Sequence, residues 1–502
     1  MMKRIAAAAA ALLLALCCTV PALAADGYKY SYTYTYDYWE DVRESPDAYR
    51  VRMMISTAEF EDIGGLKNPQ GLFVRNRDAY ICDTGNNRVI QIRLKDDGFE
   101  RIRVIDSFNG ETSPTTFNSP RDIYVMEDGT MFIADYSNNR VVRLDKDLNW
   151  ELSFTKPTDN NFDQNAEFLP KKLVADVVGR VYVLSQNVNK GIVKFEADGQ
   201  FNGFIGANKV RVNLYDQMWK MIATKEQRAR MESFVPTEYE NIALDPDGFF
   251  YVVTKTFNEN ELRSGSADPV RRLNAVGNNI LVQNGAFWVI GDLEWAAGNT
   301  NLTHRGPSKF ADVTVLQDDI YMVLDSTHNR IFGYDQQGNM LWGFGGVGNA
   351  DGFFNNPMAI EHMGTDLLIL DAGGAYGGSL TVMTPTEYGQ MVYTAIHQYR
   401  TGDYDGSAKT WTDVLSRNGN SDSAYIGIGR ALLQQEKYDE AMSYFKAAED
   451  DKNYSEAWRL RRMELVEQNI VPIFIVVAAI LVLPPLIRRI KKIKWEVKMF
   501  HE

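Results

Sequence analysis

The chain is poor in the residues that build redox, metal and catalytic centres. Its 502 residues include 3 cysteines and 5 histidines. Cys17 and Cys18 lie in an apolar N-terminal stretch, so removal of that stretch leaves only Cys82 and no intrachain disulfide. The histidines lack metal-ligand spacing, and neither a Gly-x-Ser-x-Gly motif nor a phosphate-binding loop occurs. From these motifs we predict no catalytic residue, no bound metal and no cofactor, and they give no support for an enzyme.

Positive charge is also scarce relative to negative charge. Lys and Arg number 53 against 66 Asp and Glu, which gives a formal net charge of −13. Nucleic-acid binding requires clustered Lys and Arg to neutralise phosphates. The composition therefore argues against a nucleic-acid-binding surface, and we expect no nucleic-acid partner.

Residues 1–24 have the three parts of a secretory signal peptide. Lys3 and Arg4 form a positive end, an apolar core follows, and an Ala-Leu-Ala cleavage site ends at Ala24. The apolar core is too short to span a bilayer as a stable anchor. We therefore expect the rest of the chain to be exported.

The following segment, residues 25–49, is rich in tyrosine. Its tyrosines alternate along the chain: Tyr28, Tyr30, Tyr32, Tyr34, Tyr36 and Tyr38. In an extended strand this period of two places every ring on one face. The rings either stack on a sugar or pack against the rest of the protein, and the sequence leaves both possibilities open.

One stretch contains the same pattern twice. The first copy covers residues 68–92 and the second covers 119–144, with Pro69 and Pro120 51 residues apart. Each copy has an alternating apolar strand, a tight turn, a second strand, an Asp-x-x-Asn-Asn-Arg turn and a third strand. A repeat of this length, made of short strands and turns, is typical of a β-propeller blade.

Six such blades can be counted over residues 50–387, so the fold class is mainly β. The entry segments of the later blades begin at residues 168, 239, 310 and 357. We also expect the segment Tyr49–Ile55 to pair with the last blade and close the ring, which removes an open sheet edge.

The repeats resemble the NHL repeat, a propeller family with a proline entry, an Asp-terminated strand and an Asn-x-Arg turn. The signature positions here are Asp83, Asn87, Arg88, Asp135, Asn139, Arg140, Asp325, Asn329 and Arg330. The Asp and Arg residues bracket the turns, and we expect them to pair structurally. The chain as a whole is similar to secreted NHL-repeat proteins of Gram-positive bacteria.

Long insertions follow second strands or join blades, which would place them on one face of the propeller. They are residues 155–167, 207–236, 284–308 and 343–356. The second of them has a helical apolar stripe that includes Met218 and Met221. Insertions collected on one face indicate the binding face of a repeat protein.

The periodicity becomes helical after the propeller. Residues 388–468 contain apolar and small residues at the spacing of tetratricopeptide helical hairpins, and we predict two repeats and a capping helix. Residues 469–487 include 18 uncharged residues, which at ~1.5 Å per residue just span a bilayer. The tail at 488–502 begins with Arg488 and Arg489, so it is expected in the cytoplasm.

One polar constellation lies at the start of the first strands, which line the channel of a propeller. Two residues after successive blade entries come Asp122, Lys172, Asn241 and Asp312. In gluconolactonase-type propellers carboxylates and amides of this kind ligate calcium, and that is one interpretation. The other is that they form blade-to-blade hydrogen bonds or a solvated channel, with Lys172 neutralising the acids.

These features predict a membrane-anchored, extracytoplasmic binding or scaffolding protein with a single membrane pass. The partner would be a membrane protein, for instance in a transport complex, or an extracellular carbohydrate or protein. The alternative function is a calcium-dependent gluconolactonase-like hydrolase or a lyase that acts in the channel.

Overall fold

The computed structural model describes residues 33–206, 238–255, 257, 259–293, 304–373 and 377–499. The predicted signal peptide, the first three tyrosines of the alternating run and the helix predicted in the second insertion lie outside these residues.

The described residues contain 25 strands in six antiparallel sheets. Three strands precede the first blade: β1 (Thr33–Tyr36), β2 (Val42–Glu44) and β3 (Tyr49–Ser56). Blades 1 to 3 comprise β4 (Gly71–Arg75), β5 (Asp78–Asp83), β6 (Arg88–Lys95), β7 (Gly98–Ile105), β8 (Pro120–Val125), β9 (Met131–Asp135), β10 (Arg140–Leu144), β11 (Trp150–Phe154), β12 (Leu169–Ala175), β13 (Val181–Gln186), β14 (Ile192–Phe195) and β15 (Phe201–Ile205). Blades 4 to 6 comprise β16 (Asn241–Leu244), β17 (Phe250–Val253), β18 (Val270–Leu273), β19 (Phe310–Val315), β20 (Tyr321–Asp325), β21 (Arg330–Tyr334), β22 (Met340–Gly345), β23 (Pro357–Met363), β24 (Asp366–Asp371) and β25 (Ser379–Pro385).

The six sheets are arranged around a central axis. The first strands β4, β8, β12, β16, β19 and β23 contact one another in a closed ring. Within each blade the strands follow from the first in chain order. The predicted six-bladed β-propeller is therefore confirmed.

Strand alternation explains why the blades stack. On β5, Ile81 packs with Leu368 of blade 6, whereas its neighbour Cys82 packs with Ile133 of blade 2. Successive side chains point to opposite faces of a strand. Both faces of a blade must therefore be apolar, because each blade is covered by two others.

The ring is closed by the N-terminal strand β3. It pairs antiparallel with β25 of blade 6, from Tyr49 opposite Pro385 to Ser56 opposite Ser379. The predicted closure is confirmed, and blade 6 thereby gains its fourth strand.

The hairpin β1–β2 lies on blade 5. Strand β1 pairs with the outer strand β22, which gives this sheet six strands. Tyr34 and Tyr36 are buried there with their rings 5.7 Å apart, while Tyr38 is 45% exposed. Tyr34 and Tyr36 therefore pack against the rest of the protein, which was one of the two interpretations of the alternating tyrosines.

Seven α-helices lie in the described residues, six of them after the propeller. They are α1 (Glu259–Arg263), within blade 4, then α2 (Glu387–Arg400), α3 (Tyr404–Arg417), α4 (Asp422–Gln434), α5 (Tyr438–Ala447), α6 (Asp451–Gln468) and α7 (Ile470–Met499). Helices α2 to α6 pack consecutively against one another. Gly427 and Gly429 of α4 permit close approach, because a Cβ there would lie 2.4 Å from Trp411 and 2.6 Å from Phe445.

The helices share a hydrophobic core with blades 5 and 6. Trp342 of β22 lies between Tyr49 and Tyr393, with ring centroids 6.0 and 5.5 Å away. The hydroxyl groups of Tyr49 and Tyr393 are hydrogen-bonded to each other. The helical region is therefore packed onto the side of the propeller.

Helix α7 is the one described helix that is long and apolar enough to cross a membrane. Its most apolar 18-residue window has a mean hydropathy of 2.9 and is exposed. The helix contains Pro484 and Pro485 and continues through the basic residues to Met499. At ~1.5 Å per residue its 30 residues extend about 45 Å, which exceeds a hydrocarbon core of about 30 Å.

Candidate binding channel

The first strands place the predicted polar residues around the central channel by means of a repeated β-bulge. In blades 2, 3, 5 and 6 the pairing register shifts directly after the entry residue, as between Pro120 and Asp122. A bulge adds one unpaired residue and redirects the side chains that follow. We call the channel end where the first strands begin the mouth.

The polar side chains near the mouth bond to neighbouring blades. Asp122 Oδ2 accepts the backbone N–H of Leu173 at 2.9 Å, and its Oδ1 lies 3.5 Å from Lys172 Nζ. Asp312 Oδ2 accepts the N–H of Ile360 at 2.8 Å. The structure thus joins blade 2 to blade 3 and blade 5 to blade 6 through single carboxylates.

Asn241 joins blade 4 to blade 5 in the same manner. Its amide Nδ2 donates to Asp312 Oδ1, and its Oδ1 accepts the N–H of Ile242 at 2.6 Å. Asp312 Oδ1 also accepts the N–H of Val313 at 2.7 Å. All four predicted residues therefore line one cavity, but each is engaged in protein contacts.

A second polar level lies two residues deeper along the first strands. Thr314 Oγ1 lies 2.8 Å from His362 Nδ1 and 3.3 Å from Glu361 Oε2. Sequence reasoning missed these residues because it sampled one position per blade, where blade 6 has Ala359. The alternation of two would have found Glu361, which is on the same strand.

The channel cavity has a volume of about 70 Å3. Its polar lining comprises Asp122, Lys172, Asn241, Asp312, Thr314, Glu361 and His362. A buried water needs roughly 10–15 Å3 of such volume, so the cavity holds a few waters or one small group.

The pKa values of the titratable groups in the channel are shifted from their ordinary values. Burial raises the pKa of Asp312 to about 6, although the Lys172 ammonium opposes it. Burial, aided by the charge of Asp312, raises the pKa of Glu361 to about 8. Burial lowers the pKa of His362 to about 4. At neutral pH Glu361 is therefore mainly protonated and His362 is neutral.

Lys172 is the cation that balances this site. Burial alone would lower its pKa, but the carboxylates of Asp122 and Asp312 outweigh burial and raise the pKa above its ordinary value. Burial likewise raises the pKa of Asp122, which Lys172 opposes. The channel therefore contains a permanent ammonium ion among acidic groups.

These residues do not fit a calcium ion. Calcium takes six to eight oxygen ligands with free lone pairs. Here Asp312 and Asn241 direct their oxygens to N–H groups of the blades, and an ammonium ion lies beside Asp122. We therefore derive no chemical step through a metal at this position.

A second cluster of acidic side chains, at the face opposite the mouth, surrounds an arginine side chain. Arg272 Nη2 lies 2.6, 3.4 and 3.2 Å from carboxylate oxygens of Asp245, Asp247 and Asp319. Asp245 also accepts the N–H of Phe249 at 2.8 Å, which closes the turn between β16 and β17. The Arg272 guanidinium therefore occupies the position in which a metal ion would bind these carboxylates.

The signature residues of blades 1 and 2 form buried ion pairs. Arg88 Nε lies 2.7 Å from Asp83 Oδ2, and Arg140 Nε lies 2.8 Å from Asp135 Oδ2. The Asn of each turn has a left-handed backbone, with φ of 56° at Asn87 and 57° at Asn139. Asn tolerates this conformation better than most residues, which explains its place in the pattern.

Blade 5 uses the same turn with different partners. Asn329 has φ of 53°, but Asp325 accepts from His328 Nδ1 at 2.8 Å. Arg330 instead forms its ion pair with Asp292, which also accepts from Tyr36. The expected pairing of Arg330 with Asp325 is wrong, because the segment before blade 5 supplies a second carboxylate.

The described part of the third insertion also differs from the expectation. Asn284 bonds to Gln337, in the turn between β21 and β22 at the face opposite the mouth. The segment then reaches Asp292, beside the signature turn of blade 5. This insertion therefore covers the outside of blade 5 instead of lying only on the mouth face.

Neither a protein-family model nor a curated protein matches this chain. Among solved structures, virginiamycin B lyase from Staphylococcus aureus is 14% identical, with a TM-score of 0.36 over 67% of this chain and 88% of that one. A protein of unknown function from Bacteroides thetaiotaomicron is 13% identical, with a TM-score of 0.40 over 64% and 70%. The extracellular domain of a putative one component system from B. thetaiotaomicron is 11% identical, with a TM-score of 0.36 over 68% and 38%. At these identities and TM-scores the similarities assign no activity to this chain.

Proposed function

We propose that this protein is a membrane-anchored, extracytoplasmic binding or scaffolding protein. Its propeller, of NHL type, holds a protein or carbohydrate ligand, and its helical region, of tetratricopeptide type, supports the propeller. The partner is a membrane protein, for instance in a transport complex.

The observation that carries this proposal is the shared core between the propeller and the helices. Tyr49 closes the ring, Trp342 belongs to blade 5, and Tyr393 belongs to α2, yet all three rings are in contact. Buried aromatic contacts of this kind hold two elements in one orientation. The propeller and the helical region that packs on its side are thus held in one fixed orientation.

Helix α7 supports the anchoring role. It begins two residues after α6 ends, so a membrane span would follow the helical region directly. Arg488 and Arg489 come after the apolar stretch, and positively charged ends favour the cytoplasmic side. Together with the predicted signal peptide, this gives a large extracytoplasmic part and a short cytoplasmic tail.

The chemistry of the channel supports binding over catalysis. Asp122 and Asp312 accept backbone N–H groups of adjacent blades, and Asn241 donates to the Asp312 carboxylate, so all three contribute to the ring itself. A general base must be within reach of a substrate proton in a usable state. These side chains are committed to the fold instead.

Cell fractionation tests the anchor. The full chain is expected in the membrane fraction after a high-salt wash, and a chain ending at Gln468 is expected in the soluble fraction. Protease added to intact cells should digest the propeller and spare the tail. Retention of the shortened chain on washed membranes would contradict a sole anchor in α7.

Co-purification tests the binding role. Asn160 and Glu167 are exposed on the first insertion, and changing both to Lys should reduce recovery of the membrane partner. The matched control changes the exposed Glu127 and Val177, on turns of the opposite face, to Lys. Equal recovery with both variants would place the binding surface elsewhere.

A further inference from the structure

Two basic side chains occupy equivalent bulge positions at the mouth. Arg121 is the extra residue between Pro120 and Asp122, and Lys171 is the extra residue between Pro170 and Lys172. Bulges occur often beside binding sites, where they redirect a side chain. Adjacent blades thus direct a guanidinium and an ammonium to the same part of the mouth.

Arg121 is held in place without an ion pair. Its Cζ lies 3.4 Å from the ring centroid of Tyr136, and Nη1 lies 3.5 Å from Gln186 Oε1. The Tyr136 hydroxyl donates to the same Gln186 oxygen at 2.6 Å. No carboxylate in the described part of the chain forms an ion pair with Arg121, and its buried Nε–H has no hydrogen-bond acceptor there.

Such an arrangement costs free energy unless an anion binds. Burial lowers the pKa of Arg121, which shows that the charged form has lost hydration. A buried donor without an acceptor is similarly unfavourable. Stacking on Tyr136 leaves the guanidinium fork in a fixed plane, which suits a planar carboxylate.

The surroundings of Arg121 carry excess positive charge. Lys171 and Lys255 lie 3.1 and 3.9 Å from oxygens of one carboxylate, that of Glu240. Glu240 also acts electrostatically on Arg121, so this one carboxylate faces three cations on a chain of net charge −13. This contrast concentrates anions at the mouth.

The cavity below the mouth restricts the anion that fits. Its volume is about 70 Å3, and Thr314 and His362 offer partners for hydroxyl groups. Asp122 and Asp312 line it as well, so a ligand that extends from the mouth into the cavity must present neutral hydrogen-bonding groups there and not a second negative charge. A small polyhydroxylated monocarboxylate meets both conditions.

We propose that the mouth is a binding site for a sugar acid, whose carboxylate is held by Arg121 and Lys171 while its hydroxyl groups face the cavity. The inference deepens the proposed binding function, because it names the class of ligand at the mouth. Gln186 and Tyr136 act as positioning residues for the guanidinium.

Calorimetric titration of the purified full chain tests the site. Galacturonate is the probe, galactose is its neutral counterpart and inorganic phosphate is the alternative anion. We expect saturable binding of galacturonate, and affinities at least tenfold weaker for the other two compounds. Arg121→Gln should weaken galacturonate binding tenfold or more.

Arg180→Gln is the matched control. Arg180 lies in the turn at the opposite face, 2.6 Å from Asp176, and its loss changes the net charge equally. The control should bind like the unmodified protein, and Arg121→Gln should melt at the same temperature or higher, because it removes a partly buried charge that forms no ion pair.

Three results would overturn the proposal: no saturable galacturonate binding, an unchanged affinity in Arg121→Gln, or phosphate binding as tight as that of galacturonate. Failure of the membrane partner to co-purify would contradict the proposed function alone, since the titration uses no partner.

Discussion

The buried ion pair of blade 2 gives the sharpest test of how the signature residues act. We predict that Arg140→Ala lowers the free energy of unfolding substantially and leaves ligand binding intact. The Arg140 side chain is 6% exposed, and the Asp135 side chain is fully buried. Removing one partner therefore leaves a carboxylate in a poorly hydrated place.

The contacts of the pair set the magnitude. Arg140 also donates to the carbonyl oxygen of Pro114 at 2.6 Å, which ties the turn to the preceding connection. Breaking a buried pair by removing one partner costs about 3–5 kcal/mol. Asp135 still accepts from Asn118 N and Asn138 after the change, so we expect the lower end, about 3 kcal/mol.

Urea unfolding followed by far-ultraviolet circular dichroism measures the effect. The control is Arg93→Ala, whose side chain is 52% exposed and pairs with Asp78 at 2.6 Å. An exposed pair contributes about 0.2–1 kcal/mol, so the control should shift the midpoint little. Equal shifts in both variants would refute the reasoning that burial decides the contribution.

Three further predictions concern the channel, the core and the anchor. The free energy of unfolding should fall as pH rises from about 5 to 8, because the raised pKa of Glu361, about 8, makes the folded state bind the proton more tightly than the unfolded state. In Glu361→Gln, urea unfolding should show a fall that is smaller by roughly 2–4 kcal/mol. An identical pH profile in the variant would contradict this prediction. Trp342→Ala should cost about 3–5 kcal/mol and loosen the helices from the propeller, which hydrogen exchange of α2 would detect as lost protection, whereas unchanged exchange would separate the two units. Pro484→Ala with Pro485→Ala should leave membrane retention unchanged, since the apolar stretch is retained, and release to the soluble fraction would show that the prolines are required.

The local pattern of the sequence identified blades where one turn type demanded particular residues. The left-handed positions at Asn87 and Asn139 and the carboxylates that precede them repeat because the same backbone shape repeats. The closing strand was predictable for a related reason. The segment that begins at Tyr49 precedes blade 1 and has no partner strand there. Blade 6 would have an open edge without a fourth strand, so the two were expected to pair.

Other features depended on contacts between distant segments, which periodicity cannot assign. The alternation at Tyr34 and Tyr36 showed that the rings share a face, but not that β1 would join β22. Asp292 lies 38 residues before Arg330 and has no repeat position, so its ion pair was missed. The deeper channel residue Glu361 follows Ala359, whose apolar side chain gave no polar signal.

The closure of the ring by β3 has a consequence for the order in which the protein is made. Tyr49 pairs with Pro385, which lies 336 residues further along the chain, and a stretch of this length takes about 20–70 seconds to synthesise at roughly 5–20 residues per second. During that interval β3 has no sheet to join, and blade 6 is the last to form. The nascent chain therefore carries an unpaired strand at Tyr49–Ser56 for most of its synthesis, and such a strand is an open edge to which another chain can pair.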